Sequence, residues 1–251
     1  MKISLTFDIE RDFPHVLDTY YGVRIGIQKI LDVLEFFDIK GTFFCTGDIA
    51  LHFADKIKLI EAKGHEIACH SLNHEPLRSL NYRKCYDLIS QNKTILENIC
   101  PKSEILGFRA PYLQPPKELI KILHDLGFKY DSSFRSDKMV DISQLNNYKI
   151  QEFHPLSFNS LLRLPFTYSL YRKWLFNKDP IILCYHPWEA TSMRKIVLYR
   201  IRGLDRLKHI ILRPDRIINT GDSFIKRISK FIKESLSINA EFIMLKQFLD
   251  N

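Results

Sequence analysis

Glu66-Ile67-Ala68-Cys69-His70-Ser71-Leu72-Asn73-His74 decides how the chain is read. The run from Glu66 to Cys69 has the length of a short buried strand. It gives way at once to two histidines four residues apart. On a helical turn that spacing points both rings the same way. Neutral imidazole is the commonest metal ligand in proteins, and it suits zinc. Two histidines are not a metal site, so the rest of the chain has to supply a carboxylate, an acid, a base and a cleft.

Outward from this stretch the same pattern repeats. Ile3–Phe7 reads as a buried strand that stops at Asp8-Ile9-Glu10. Residues 41–44 are a second strand, and 105–108 a fourth that ends at Arg109. Residues 128–130 end at Asp131, and Ile181–Tyr185 ends at His186-Pro187-Trp188-Glu189. Helices are predicted between them: over 24–37, 48–62 and 81–98, and from Pro115-Pro116 to just before Gly127. Residues 135–149 are polar and read as a surface loop. Further strands are predicted at 150–153, 161–164 and 242–245, and the last third is otherwise helical. Alternating strand and helix argues for a parallel sheet with helical crossovers. Seven or eight such units predict an α/β fold, a barrel in a single domain over 1–251 with a basic helical part from about 190. Asp8/Glu10, His70/His74, Arg109, Asp131 and His186 all follow the C-terminal end of an apolar run. In parallel α/β folds that edge is where sites are assembled.

Composition narrows the classes. With 45% hydrophobic and 12% aromatic residues, the 251-residue chain can bury a large core. No apolar stretch approaches the roughly 18 residues of a membrane span. The N-terminus reaches Asp8 too early for a signal peptide. Cysteines 45, 69, 85, 100 and 184 are odd in number and scattered, which reads as reduced thiols and a cytoplasmic protein. The net charge of +8 is concentrated: between Arg194 and Lys233 stand twelve Lys/Arg against Asp205, Asp215 and Asp222. Over 224–236 the residues Phe224, Ile225, Ile228, Phe231, Ile232 and Leu236 share one face, with Lys226, Arg227, Lys230 and Lys233 on the other. Such a helix either packs on its own barrel or lies on an anionic membrane surface, here the inner face. Arginines 200, 202, 206, 213 and 216 with Lys208 lack interleaved aromatics beyond Tyr199, so no nucleic-acid partner is expected.

A carboxylate, Asp8 or Glu10, with His70 and His74 would make a two-histidine, one-carboxylate set with positions open to water and substrate. The other carboxylate could take a proton from that water. His186 could give one to a leaving amine, Arg109 could keep the base ionised, and Asp131 could keep His186 charged. Together they describe metal-assisted hydrolysis of an amide. A cysteine nucleophile, Cys69 beside His70 or Cys184 near His186, leaves Asp8, Glu10 and Arg109 without a purpose. Histidines 15, 65 and 154 read as structural.

Thr6-Phe7-Asp8-Ile9-Glu10, His70–His74, Arg109-Ala110-Pro111-Tyr112, Tyr130-Asp131-Ser132-Ser133 and Tyr185–Glu189 resemble the five ordered motifs of polysaccharide deacetylases with the NodB homology domain, carbohydrate esterase family 4. The resemblance covers about residues 1–190. It implies a distorted (β/α)7 barrel, a divalent metal, most often zinc, and removal of an acyl group, usually acetyl, from an amino sugar. By position it makes Asp8 the base, Glu10, His70 and His74 the metal ligands and His186 the acid. Arg109 would tether Asp8, Asp131 would tune His186, and the Tyr112 N–H would bind an oxyanion. Pro111, Tyr112 and Trp188 are then the candidate substrate contacts, though Trp188 is more simply a packing aromatic. Many members have two adjacent aspartates in the first motif; here Ile9 stands at the second, so a swap of roles between Asp8 and Glu10 is open. Many have leucine where Cys184 stands, in the acyl pocket. The expected substrate is an N-acylated amino sugar in a polysaccharide or linked to a lipid or nucleotide. Deformylation, cyclic-amide hydrolysis and a non-catalytic glycan- or membrane-binding barrel are the alternatives.

Overall fold

β1 (Lys2–Ile9) runs through the centre of the molecule and is buried along nearly all its length. Its residues alternate, as a strand's must. Ile3, Leu5, Phe7 and Ile9 point into the main apolar core beneath the helices. Ser4, Thr6 and Asp8 are the intervening residues, equally buried, and Glu10 continues their row just past the strand end. A polar row running up the inside of a curled sheet is what places the site.

Around it the computed structural model describes residues 1–13, 17–136, 139–156, 159–164, 166–200, 203–204 and 211–249, with the backbone alone at 159. β2 (Thr42–Cys45), β3 (Glu66–Cys69), β4 (Gly107–Phe108), β5 (Tyr130–Asp131) and β6 (Gln151–Glu152) follow β1 on one side, and β7 (Ile181–Tyr185) lies on the other. All these pairings are parallel. The sheet is therefore ordered β6-β5-β4-β3-β2-β1-β7, an open, distorted (β/α)7 barrel. Across the opening the Leu156 N–H donates to the Ile182 carbonyl at 2.9 Å, the one such backbone bond among the described residues, where a closed barrel would have a ladder.

The bottom of the barrel is plugged from the C-terminus. β8 (Glu241–Phe242) pairs with the start of β1. The Leu245 N–H then donates to Thr42 Oγ1 and the Lys246 N–H to Glu66 Oε2. Leu245 is fully buried among Phe44, Ala68, Tyr130, Phe153 and Ile182. The Tyr130 hydroxyl reaches Glu66 Oε1 at 2.9 Å, its ring lying so close over Gly107 that a Cβ there would meet it at 1.9 Å.

Several expected elements are in place: the strand at 66–69 and the helix Tyr82–Ile99, whose Asn81 side chain caps the Lys84 N–H. Others differ. The helix expected over 48–62 is two, Gly47–His52 and Ala54–Ala62, broken at Phe53 with ψ 44°. The segment 135–149, read as a loop, holds the helix Ile142–Tyr148, started by Asp141 accepting from the Ser143 N–H. None of that helix is buried, so no apolar stripe marked it in the sequence. The strand expected at 161–164 is a 3-10 turn, Asn159–Leu162. The helix Asp222–Leu236 buries Phe224, Ile228, Phe231 and Ile232 against the barrel, with Phe224 5.3 Å from the Tyr185 ring. That apolar side is therefore not available to a lipid surface. Among the described residues no helix is long and apolar enough to cross a membrane. His15, Arg202, Arg206 and Lys208 lie outside the described residues.

Candidate active site

The ends of four strands, β1, β3, β4 and β7, deliver residues to one cavity of about 370 Å³ at the C-terminal edge of the sheet. Asp8, Glu10, His70, His74, Tyr112 and His186 line it, together with Trp188. Arg109 lies beneath them and is fully buried. The backbone around the cavity is bent sharply: Phe13, His74, Tyr112 and Leu113 have φ between 49° and 61°. A non-glycine residue there costs on the order of 1 kcal/mol, and such strain gathers where a fold must present particular groups.

Glu10 Oε2 faces both histidines, 2.5 Å from His74 Nε2 and 3.4 Å from His70 Nε2. The three ligand atoms lie within 4.8 Å of one another, the one such group of His, Cys, Asp and Glu found among the described residues. His70 donates from Nδ1 to the Arg109 carbonyl at 2.7 Å, which fixes its tautomer and leaves the Nε2 lone pair facing inward. A lone pair on nitrogen facing a carboxylate oxygen needs a cation between them. One oxygen and two imidazole nitrogens, open to the cavity on the remaining side, suit zinc. The donor set fits a divalent ion, and the Glu10–His70 separation matches the roughly 3.4 Å between ligands of a tetrahedral zinc, while Glu10 and His74 meet directly at a shorter distance. Burial pushes the Glu10 carboxyl up, and the pull of His74, His70 and His186 outweighs it, leaving Glu10 well below the carboxylate range.

Asp8 belongs to a different set of bonds. Its Oδ1 accepts from Arg109 Nη1 at 2.7 Å, and its Oδ2 accepts from the Cys184 thiol at 3.2 Å. Arg109 also donates to Thr6 Oγ1, to Ser132 Oγ and to the Ser132 carbonyl, and its guanidinium lies 4.0 Å over the Phe44 ring. Burial raises the Asp8 carboxyl, but Arg109, His70 and His186 lower it further, and it stays ionised below its ordinary value.

His186 stands between two carboxylates. Its Nε2 is 3.7 Å from Glu10 Oε1 and its Nδ1 3.5 Å from Glu189 Oε1. Burial pushes the imidazole down, while Glu189, Glu10 and Asp8 lift it to about 9. That lift describes the metal-free chain; a dication beside Glu10 would pull it back. Glu189 is itself pinned: its Oε1 accepts from the His186 N–H, and its Oε2 pairs with Arg163 at 2.8 Å. The segment is held from behind by Gly26, where a Cβ would sit 1.9 Å from the Pro187 carbonyl oxygen.

Asp131 is placed differently from expectation. It ends β5, on the far side of Arg109, and the carboxylate beside His186 is Glu189. Asp131 Oδ1 accepts from Ser133 Oγ, which in turn accepts from the Ala110 N–H at 2.7 Å, so Asp131 steadies the Ala110-Pro111-Tyr112 turn. Burial lifts both Asp131, to about 6, and its neighbour Glu152, which goes well above its ordinary value. Pro111 opens that turn, and the Tyr112 ring meets His74 edge-on at 4.4 Å. Trp188 is 7% exposed and wedged between Phe13 at 4.7 Å and His186 at 5.4 Å, which is packing more than a sugar platform. Glu189 and Arg163 were the residues the sequence reading missed. An acid three residues after His186 has capping-box spacing, which could have flagged Glu189; nothing local marks Arg163.

Residues 1–130 match the family described as polysaccharide deacetylase. The peptidoglycan deacetylase-like protein FGM2 of Gibberella zeae is 32% identical over 115 residues, 45% of this chain and 34% of that protein. A chitooligosaccharide deacetylase of Sinorhizobium fredii is 30% identical over 111 residues, 44% of this chain and 46% of that one. The matched part thus spans less than half the length of either relative. A pseudoenzyme of carbohydrate esterase family 4 from Bacillus anthracis shares the fold, with TM-score 0.59 at 12% identity over 98% of this chain and 64% of that one. The match over its first 130 residues, which include Asp8, Glu10, His70, His74 and Arg109, makes this chain a member of the polysaccharide deacetylase family.

Proposed function

We propose that the chain is a metal-dependent hydrolase that removes an N-acyl group, acetyl in the first instance, from an amino sugar of a glycan or of a lipid- or nucleotide-linked precursor. The observation that carries this reading is the division of the two carboxylates. Glu10 is committed to His70 and His74, whereas Asp8 is committed to Arg109. That supports Glu10 as the ligand and Asp8 as the base.

Glu10, His70 and His74 would hold the ion, zinc by the donor set, which would supply a Lewis acid that acidifies water and polarises the acyl carbonyl. Asp8, kept ionised by Arg109, accepts the proton of the attacking water. His186, kept protonated by Glu189, donates to the departing amine. The Tyr112 turn, steadied through Ser133 and Asp131, presents its backbone toward the forming oxyanion. Sharing a fold with a pseudoenzyme means that the barrel by itself argues nothing about turnover; the intact Asp8, Glu10 and His186 set does. The five free cysteines, four of them buried, support a reducing compartment.

Metal content and acetate release, measured together, test the assignment. Asp8→Asn should keep about one metal per chain and lose turnover by 10³-fold or more, whereas Glu10→Gln should lose the metal. Equal metal loss in both variants, or turnover surviving in Asp8→Asn, would contradict the division of roles. A wild-type chain that binds metal and glycan but releases no acyl group would be a binding barrel.

A further inference from the structure

The cavity that holds the metal ligands is walled by more positive charge than those ligands require. Arg135, Arg213 and Arg216 all line it. Its two acids are already occupied, Asp8 by Arg109 and Glu10 by the histidines. Arg213 is balanced by Asp215 at 2.9 Å. Among the described residues no carboxylate pairs with Arg135 or Arg216. Two unbalanced guanidinium groups in one concave space repel each other, and the enclosing walls concentrate their field.

Arg216 is also held in place. It ends the 3-10 turn Pro214–Arg216, and its guanidinium lies 4.9 Å over the Phe13 ring. The buried Arg163 fastens the turn by donating to the Asp215 and Ile218 carbonyls at 2.6 and 3.1 Å, and Asn219 Nδ2 donates back to the Arg163 carbonyl. Burial and the neighbouring Arg213 lower the Arg216 pKa more than Asp215 and Glu10 raise it, so the repulsive surroundings of this cation outweigh the attractive ones. Arg135 comes from the opposite side of the chain order, after β5. It lines both this cavity and the larger adjoining groove of about 710 Å³.

We propose that the amino sugar taken by this site carries a phosphoryl group, which Arg216 and Arg135 bind from two walls; this rests on the hydrolase reading above. Two unbalanced cations match the charge of about −2 on a phosphomonoester or a pyrophosphate link better than the −1 of a carboxylate. Guanidinium is also the side chain best suited to chelate phosphoryl oxygens. Arg163 is then a positioning residue for both ends of the substrate, since it fastens the turn bearing Arg216 and pairs with Glu189 beside His186.

The test is calorimetric titration of the full, zinc-loaded chain with N-acetylglucosamine 1-phosphate, methyl N-acetylglucosaminide and N-acetylmuramic acid. The phosphate ester should bind at least tenfold more tightly than the neutral sugar, and more tightly than the carboxylate sugar. The preference should fall below threefold in Arg216→Gln and in Arg135→Gln, and survive in Lys226→Gln on the outer helix. A preference that is absent, or that persists in the Arg135→Gln/Arg216→Gln double variant because the zinc alone holds the phosphate, overturns the proposal. Acetate release separates the sources. Faster release from UDP-N-acetylglucosamine identifies a nucleotide carrier, and faster release from a polyprenyl-diphosphate N-acetylglucosamine in vesicles a lipid one. Faster release from a neutral chitooligosaccharide than from either overturns the phosphoryl site while leaving the hydrolase reading intact. Arginine-dependent phosphate preference with no acyl release from any substrate does the reverse.

Discussion

Breaking the buried Asp8–Arg109 pair from one side or from both should give opposite signs for the same substitution. Arg109 is fully buried and Asp8 5% exposed, with 2.7 Å between Nη1 and Oδ1. Arg109→Met leaves the buried Asp8 charge behind without its guanidinium partner. It also strips the Ser132 carbonyl and hydroxyl of their donor. Removing one partner of a buried ion pair typically costs about 3–5 kcal/mol. With unfolding entropy near 2.1 cal/mol/K per residue, a 251-residue chain loses about 2 °C of Tm per kcal/mol, so the variant should melt roughly 6–10 °C lower. Asp8→Asn in the native background keeps an acceptor for Nη1 and should cost only about 1–2 kcal/mol. In the Arg109→Met background the same change removes a stranded charge and should stabilise by about 1–2 kcal/mol.

The assay is equilibrium urea unfolding of the four proteins at one fixed free zinc concentration, since ligand binding to the native state shifts apparent stability. The expected coupling is about 2–4 kcal/mol, well beyond the roughly 0.5 kcal/mol scatter of independent sites. Asp8→Asn costing the same in both backgrounds would refute the claim that Arg109 is there to hold Asp8 ionised. Arg109 would then be a packing residue spanning β1, β5 and β7.

Three further outcomes follow from the same structure. The His65 Nδ1 accepts from the Gly41 N–H at 3.2 Å, and burial, with Lys40 and Lys63, lowers its pKa from 6.5 to about 4. Between those values the unfolded chain binds the extra proton, so stability is fully present above pH 6.5 and falls by up to about 3 kcal/mol as pH drops to 4; His65→Asn should flatten that limb in urea titrations at each pH. Burial and the neighbouring Asp131 both push the Glu152 carboxyl well above its ordinary value, so Glu152→Gln, which removes that repulsion and keeps an acceptor for the Phe134 N–H, should change stability by under about 1 kcal/mol, and a larger loss in the same assay would mean that the carboxylate's charge supports the fold. Glu189→Gln loosens His186 and releases Arg163, so kcat should drop about tenfold or more with zinc content unchanged, and Asp131→Asn should act less on kcat; equal effects would restore Asp131 as the partner of His186.

How far the sequence reading reached depended on whether the deciding contact was local. β3 and β7 were legible because apolar runs bounded by polar clusters have one reading. The exposed helix Ile142–Tyr148 was not, since without a buried face it leaves no periodic trace. The same distinction governs the site. Glu10, His70 and His74 were legible through residue type and spacing as a set that could hold a metal, and the structure brings them together. The partner of His186 was not, because Asp131 and Glu189 both follow strands at the right edge. Asp131 is taken up by Ser133 and the Ala110 turn, whereas Glu189 shares the turn that His186 begins. Arg163 lies in a segment expected to be a strand, and its bonds to the Asp215 and Ile218 carbonyls span more than fifty residues.

The spacing of the first motif bears on the role swap that the sequence left open, and it supports the proposed division. On a strand, residues two apart share a face and adjacent residues do not. Thr6, Asp8 and Glu10 therefore rise along the inside of the barrel, while Ile9 turns outward and is buried in the main apolar core. Two residues of rise, about 6.7 Å, separate the carboxylates along that line. The lower one meets Arg109, which β4 delivers at the depth of Thr6 and Asp8. The upper one clears the strand end and meets the histidines that follow β3. A swap of roles would have to draw Arg109 upward and the histidines down by the same step, against the His70 Nδ1 bond to the Arg109 carbonyl that ties the two levels together. An acid, an outward apolar residue and an acid is thus enough, on one strand, to place two carboxylates at different depths of one cavity, as the proposed base and ligand require.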